Sequence, residues 1–134
     1  MITDTGVVYA AMDRDDPSHQ ACVELLNRTG DPISVPGPVL VELDWLGASR
    51  GVPVLDPTLA SVENGSIVVI DLSVVDYVRI RELCRQYHDL GLGIVDASVV
   101  AVAERLGEDT IATLDHRHFS VVRPRHTASF TLVP

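Results

Sequence analysis

The sequence predicts an α/β fold, a three-layer α/β/α sandwich built on a central parallel sheet. Three observations lead to it. Short apolar, β-branched runs alternate along the chain with longer stretches of helical periodicity, which is the pattern of strands joined by helical crossovers. Glycine, proline and capping residues fall between these runs as turn signals. Two aspartates, Asp4 and Asp115, stand where strand-like runs end, and ligands of open parallel sheets bind beyond the C-terminal ends of the strands.

Met1 to Asp4 reads as a short strand, and Thr5 as the cap of a helix carrying Val7, Val8, Ala10 and Ala11. Asp16-Pro17 pairs a cap with proline at a first helical position, and Ala21, Cys22, Leu25 and Leu26 form the stripe of the helix that Gly30 ends. Ile33 to Val35 is a second short strand. Pro38 to Arg50 follows as a helix with Leu40, Val41, Leu43, Trp45 and Leu46 on it and Glu42 in its second turn. Asp56-Pro57 starts a short helix. Ser66 to Ile70 reads as a buried central strand. Ser73 caps a long helix to about His88, with Val75, Val78, Leu83, Cys84 and Tyr87 facing inward, and Gly91 and Gly93 mark a loop. After Asp96, Ala97 to Leu106 is a small-residue helix stopped by Gly107. Thr110 to Leu114 is a strand that delivers Asp115, and Phe130 to Val133 is an edge strand.

A chain of 134 residues, 46% of them hydrophobic, suits one domain with a continuous core. Nothing approaches the roughly 18 uninterrupted apolar residues of a membrane span, and no basic start with an apolar run marks a signal peptide, so a cytoplasmic protein with no membrane partner is expected. Cys22 and Cys84 sit singly in helical patterns, as buried thiols do. The formal charge of −9 argues against gripping nucleic acid by bulk electrostatics, but a metal-holding site must itself be acidic, and the ion then meets the phosphate. All ten basic residues are arginines. The absence of lysine excludes the P-loop and any lysine Schiff base.

Four acids stand at element boundaries or in the first turns of apolar helices: Asp4, Glu42 in Val-Leu-Val-Glu-Leu, Asp96 in Gly-Ile-Val-Asp-Ala-Ser, and Asp115 in Ala-Thr-Leu-Asp-His. Carboxylates bracketed by core residues are partly desolvated, and several together repel unless cations or raised pKa values relieve them. Mg²⁺ answers this need, because it takes a few carboxylates and completes its shell with water and phosphate oxygens. Such an ion lowers the pKa of a water to make a nucleophile, and a second one roughly 4 Å away stabilises a leaving oxygen, which suits phosphodiester hydrolysis. Taken singly, the acids have structural readings too: Asp96 as a helix cap, Asp115 as the start of a turn.

The motifs Met-Ile-Thr-Asp-Thr-Gly at 1–6, Val-Glu-Leu at 41–43, Gly-Leu-Gly-Ile-Val-Asp-Ala-Ser at 91–98 and Thr-Leu-Asp-His-Arg-His-Phe at 113–119 together resemble PIN-domain ribonucleases, and most of all the VapC-type toxins of toxin–antitoxin pairs. The resemblance runs over the whole chain and implies one PIN-like nuclease domain over 1–134. It implies that Asp4, Glu42, Asp96 and Asp115 are catalytic and ligate Mg²⁺, with Mn²⁺ as a substitute. It further implies an RNA substrate, a homodimer and a cognate antitoxin whose tail sets an arginine among hydrophobic anchors against the acids.

Around this core, Thr5 has two readings, as a helix cap or as a hydroxyl that orients a carboxylate or a water. His116, Arg117 and His118 read either as contacts to the RNA backbone or as a solvated turn. Trp45 and Leu46 are candidates for the groove rim, with Trp45 as a core side chain the other reading. Asp89 and Ser98 lie near the site, and Asp44 is turned away from Glu42 on its helix. Two competing functions follow from the same residues. A phosphoacceptor signalling domain also gathers aspartates around Mg²⁺, but such domains resemble one another in using a lysine, and an Asp-x-Asp phosphatase needs an acid where Gly6 stands. A catalytically silent PIN-like binding module is the other alternative.

Overall fold

The computed structural model describes residues 1–134. Its elements are β1 (Ile2–Thr3), α1 (Thr5–Met12), α2 (His19–Thr29), β2 (Ile33–Pro36), α3 (Gly37–Arg50), α4 (Leu55–Glu63), β3 (Ile67–Ile70), α5 (Val74–Gln86), a 3₁₀ turn (His88–Leu90), α6 (Ile94–Leu106), β4 (Thr110–Ala112), α7 (His116–Val121) and β5 (Thr131–Val133). The five strands form one sheet in the order β3-β2-β1-β4-β5, and every pairing is parallel. The expected central parallel sheet with helices on both faces is the observed architecture.

Strand alternation sends neighbouring side chains to opposite layers. Ile111 joins the large core with Ile2, Val35, Leu43, Leu83 and the apolar side of α6, whereas Ala112 packs with Val7, Ala10 and Cys22 under α1 and α2. Helix α6 is buried from Ala97 to Ala103 because its small residues let it lie close against the sheet. Both thiols are free; Cys22 is buried as expected, whereas Cys84 is only half-buried. No helix is long and apolar enough to cross a membrane.

Several local expectations are corrected. Asp4, not Thr5, caps α1: its carboxylate accepts from Thr5 N at 2.7 Å, so Thr5 is the first helical residue. Helix α2 starts at His19, because Asp16 instead closes a turn by accepting from Ser18 N at 2.8 Å. The strand at 67–70 is an edge strand with Val68 open to solvent, and the central position belongs to the two-residue β1. Helix α7 was not expected at all. On α5 the buried face is Asp76, Arg79, Ile80 and Leu83, while Val75 is 72% exposed and Val78 also faces solvent.

The reversal on α5 has a physical cause. Arg79 forks onto Glu104 of α6 at 2.7 and 2.8 Å, and Asp76 holds Arg105 of α6 at 2.9 Å while completing a capping box with Ser73. Pairing removes most of the cost of burying these charges. The valines, with no such partner, are left on the outer side.

Candidate active site

Asp4, Glu42, Asp96 and Asp115 line one cavity of about 310 Å³ at the C-terminal edge of the sheet, with Thr5, Gly6, Trp45, Leu46 and His118 completing its walls. Each acid arrives on a different element. Asp4 follows β1, Glu42 rides the second turn of α3, Asp96 the first turn of α6, and Asp115 caps α7 just after β4. A larger cavity of about 480 Å³ lies at the other end of the strands, beside Asn27, Asp31, Asn64 and Ser66. It gathers no cluster of titratable groups, so the chemistry belongs to the smaller one.

Asp4 is only 6% exposed, because β1 is the innermost strand. Its backbone N–H donates to Ala112 O at 2.9 Å, and its two carboxylate oxygens accept from Thr5 N and from the Thr113 hydroxyl, the latter at 2.8 Å. Burial pushes its pKa up from 3.8 to about 6, against the lowering effect of those two donors, and the charges of Asp96 and Glu42 add to the rise. Asp96 is raised as well, first by desolvation. The charge of His118 and the backbone N–H of Gly93 pull it down, and Asp115 and Glu42 push it up.

Thr113 carries a double duty that the sequence did not reveal. Its hydroxyl donates to Asp4 and accepts from Asp115 N at 2.9 Å, so a single side chain locks two of the four acids in register. The signal was a threonine at the end of a strand two residues before an acid, a spacing suited to a side-chain turn. His118, already a candidate from the sequence, also joins the site. Asp115 Oδ1 accepts from His118 N at 3.1 Å as the cap of α7, which turns the His118 ring back over the acids. Of the three residues read either as contacts to the RNA backbone or as a solvated turn, His118 alone lines the cavity, while His116 and Arg117 are exposed.

The remaining candidates separate cleanly. Ser98 is fully buried and donates to Val95 O at 2.7 Å, serving the helix rather than the cavity. Asp89 and Asp44 are exposed and line no part of it. Trp45 is 68% exposed at the rim, so of its two readings the groove position is the observed one.

The donor set fits a hydrated divalent ion. No three of these groups crowd closely enough to enclose a dehydrated ion, and Mg²⁺ and similar ions retain several waters beside one or two carboxylates. The hydroxyl of Thr5, a residue only 3% exposed, lines the cavity and has no hydrogen-bond partner in the protein. Buried polar atoms without partners are rare and mark a missing ligand or water.

Comparison with known proteins follows the same line. A model of the PIN domain matches residues 1–123. Ribonuclease VapC26 of Mycobacterium tuberculosis (strain ATCC 25618 / H37Rv) is 34% identical over 135 aligned positions, covering 100% of both chains. Among solved structures, VapC20 of M. tuberculosis, a sarcin-ricin-loop-cleaving toxin, superposes with a TM-score of 0.76 at 18% identity, over 87% of this chain and 90% of that one. VapBC2 from Rickettsia felis, bound to a fragment of its promoter DNA, gives 0.64 at 20% identity, over 98% and 95%. At those identities the two structures speak for the fold alone.

Proposed function

Since the chain belongs to the PIN-domain family, among the VapC ribonucleases, we propose that its four cavity acids make it a Mg²⁺- or Mn²⁺-dependent endoribonuclease, the toxin of a toxin–antitoxin pair. The observation that carries this reading is the convergence of Asp4, Glu42, Asp96 and Asp115, from four separate elements, on one cavity in which burial disfavours the charge of Asp4 and Asp96. A bound divalent ion supplies the positive charge that meets the scissile phosphate and activates the attacking water. The protein's part is positional. Asp4 is held by Thr5 N and Thr113, Asp115 by the same Thr113, and the cavity walls keep the acids partly desolvated so that a cation is strongly preferred there.

The substrate class that suits this site is single-stranded or looped RNA, whose backbone can enter an open acidic cavity only with metal to offset the chain's charge of −9. A cytoplasmic location accords with that substrate. The antitoxin would offer an arginine to the carboxylates, with Trp45 and Leu46 at the rim as its apolar anchorage. A homodimer accounts for the second exposed feature of the molecule. Val41, 73% exposed, with Trp45, Tyr77 and Ile94 lines an apolar groove of about 660 Å³ that shares Glu42 with the acidic cavity, and exposed α5 valines lie beyond it.

The test is cleavage of a panel of structured RNAs by the purified protein with and without Mg²⁺ or Mn²⁺, beside Asp96→Asn. Cleavage that needs both the ion and Asp96 is expected. Cleavage that persists in Asp96→Asn or under chelation refutes the assignment.

A further inference from the structure

The charges of this chain are unevenly placed. All nineteen acids lie at or before Asp115, whereas the last nineteen residues contain three arginines, three of the five histidines and no acid. Within that stretch Arg125 serves the fold, because its guanidinium pairs with Glu82 at 2.7 Å. Arg79 and Arg105, elsewhere in the chain, are likewise paired with carboxylates. Arg117 and Arg123 are exposed and form no ion pair.

Helix α7 presents these two on one side. Phe119 and Val122, three residues apart, are buried and anchor the helix, so Arg117, Ser120 and Arg123, also three apart, take outward positions. Arg123 Nη1 donates to Ser120 O at 2.9 Å, which folds the guanidinium back along α7, and its backbone N–H donates to the Tyr87 hydroxyl at 2.9 Å. His118, the neighbour of Arg117, is a wall of the acidic cavity. The cationic stripe therefore begins at the mouth of the site.

An acid-lined cavity repels a polyanion, so a strand that enters it needs fixed positive charge beside the opening. Guanidinium forks match phosphate oxygens, and such contacts set the position of a strand while carrying no sequence information. Six residues at roughly 1.5 Å each make α7 about 9 Å long, so its two ends meet phosphates only a few nucleotides apart. We propose that Arg117 and Arg123 bind consecutive stretches of the phosphate backbone of single-stranded RNA leading out of the cavity over α7, and so position the strand without reading its sequence. This rests on the RNA-cleaving reading above.

The experiment measures binding of labelled single-stranded oligoribonucleotides of several sequences to Asp96→Asn protein in Mg²⁺ by stopped-flow anisotropy, across a range of salt concentrations. Each lost phosphate contact should lower the slope of log affinity against log salt by about 0.7, so Arg117→Gln should lower it by that amount and the Arg117→Gln, Arg123→Gln pair by about 1.4, equally for every sequence. The Arg117→Lys, Arg123→Lys pair should keep the slope, since lysine meets phosphate as a point charge. Arg28→Gln, which removes the same charge from the exposed end of α2, should leave it unchanged. A slope unaltered in the glutamine pair, a loss confined to some sequences, an equal loss in Arg28→Gln, or no RNA binding at the lowest salt overturns the proposal. Failure of the acid assignment reads differently: the Asp96→Asn protein then cleaves the oligonucleotides, while the slopes, taken before turnover, still decide the role of the two arginines.

Discussion

Replacing Asp4 by Asn should make the metal-free protein more stable at neutral pH while abolishing its metal response. Asp4 binds its proton more tightly in the folded chain than in the unfolded one, with a pKa raised from 3.8 to about 6. The stability associated with this group is therefore fully present below about pH 4 and is lost as pH rises through about 6. That rise in pKa corresponds to about 3 kcal/mol of penalty at pH 8, which solvent does little to screen because the carboxyl is almost wholly buried. Asn removes the charge and keeps the bond from Thr5 N. On the other side its NH₂ meets the Thr113 oxygen, which already accepts from Asp115 N, so one hydroxyl hydrogen is left unpaired at about 1 kcal/mol. The net gain at pH 8 is about 2 kcal/mol, a rise in melting temperature of at least about 5 °C. The assay is thermal unfolding of both proteins in chelator from pH 4 to pH 8, repeated with Mn²⁺. Asp4→Asn should be the more stable at pH 8 and the less stable at pH 4, and the ion should raise the melting temperature of the parent alone. A difference that does not change with pH, or a variant less stable at pH 8, refutes the argument from desolvation.

Thr113→Val keeps the volume of the side chain but withdraws the hydroxyl shared by Asp4 and Asp115 N. It should cost about 1–3 kcal/mol in urea unfolding, and the acidic limb of the RNA-cleavage pH profile should move upward because Asp4 loses a donor that lowers its pKa. Val75→Asp and Tyr77→Asp put charge on the exposed face of α5. Light scattering should show a dimer for the parent and half its mass for these variants, with unfolding midpoints changed by no more than about 0.5 kcal/mol per monomer since both side chains are exposed. Equal masses refute this face as the dimer contact.

What the sequence made legible was the part governed by local chemistry. Gly30, Gly91 and Gly107 adopt the left-handed conformation that closes a helix or turn, Ser73 caps α5, and the alternation of strand and helix was enough for the parallel sheet. All four acids lie where the pattern put them, Asp4 and Asp115 after strands and Asp96 and Glu42 in the first and second turns of helices, and they do converge. What remained hidden depends on partners distant in the chain. An apolar, β-branched run has the same appearance in a central strand as at an edge, and only the order of pairing, in which β3 meets β2 alone, distinguishes them. The valines of α5 looked inward because nothing local announced that Arg79 and Asp76 would find Glu104 and Arg105 on α6. The six-residue α7 is too short for a periodic signal, so His118, though a candidate, could not be placed over the acids. Had Asp115 been read as a cap, the i, i+3 spacing would have brought His118 to the cavity.

Topology and electrostatics of the site are one problem rather than two. Strand β1 is two residues long and contributes little pairing of its own, yet it holds the centre of the sheet, and the residue that follows it is necessarily the most enclosed of the four acids. Asp115 emerges one strand further out, beside β5, and its side chain is 41% exposed. The cavity thus carries a gradient from a desolvated carboxylate to a solvated one. Thr113 joins the two ends of this gradient, so the hydrogen bonding of the innermost acid and the backbone position of the outermost depend on one hydroxyl, and neither can be altered there without the other.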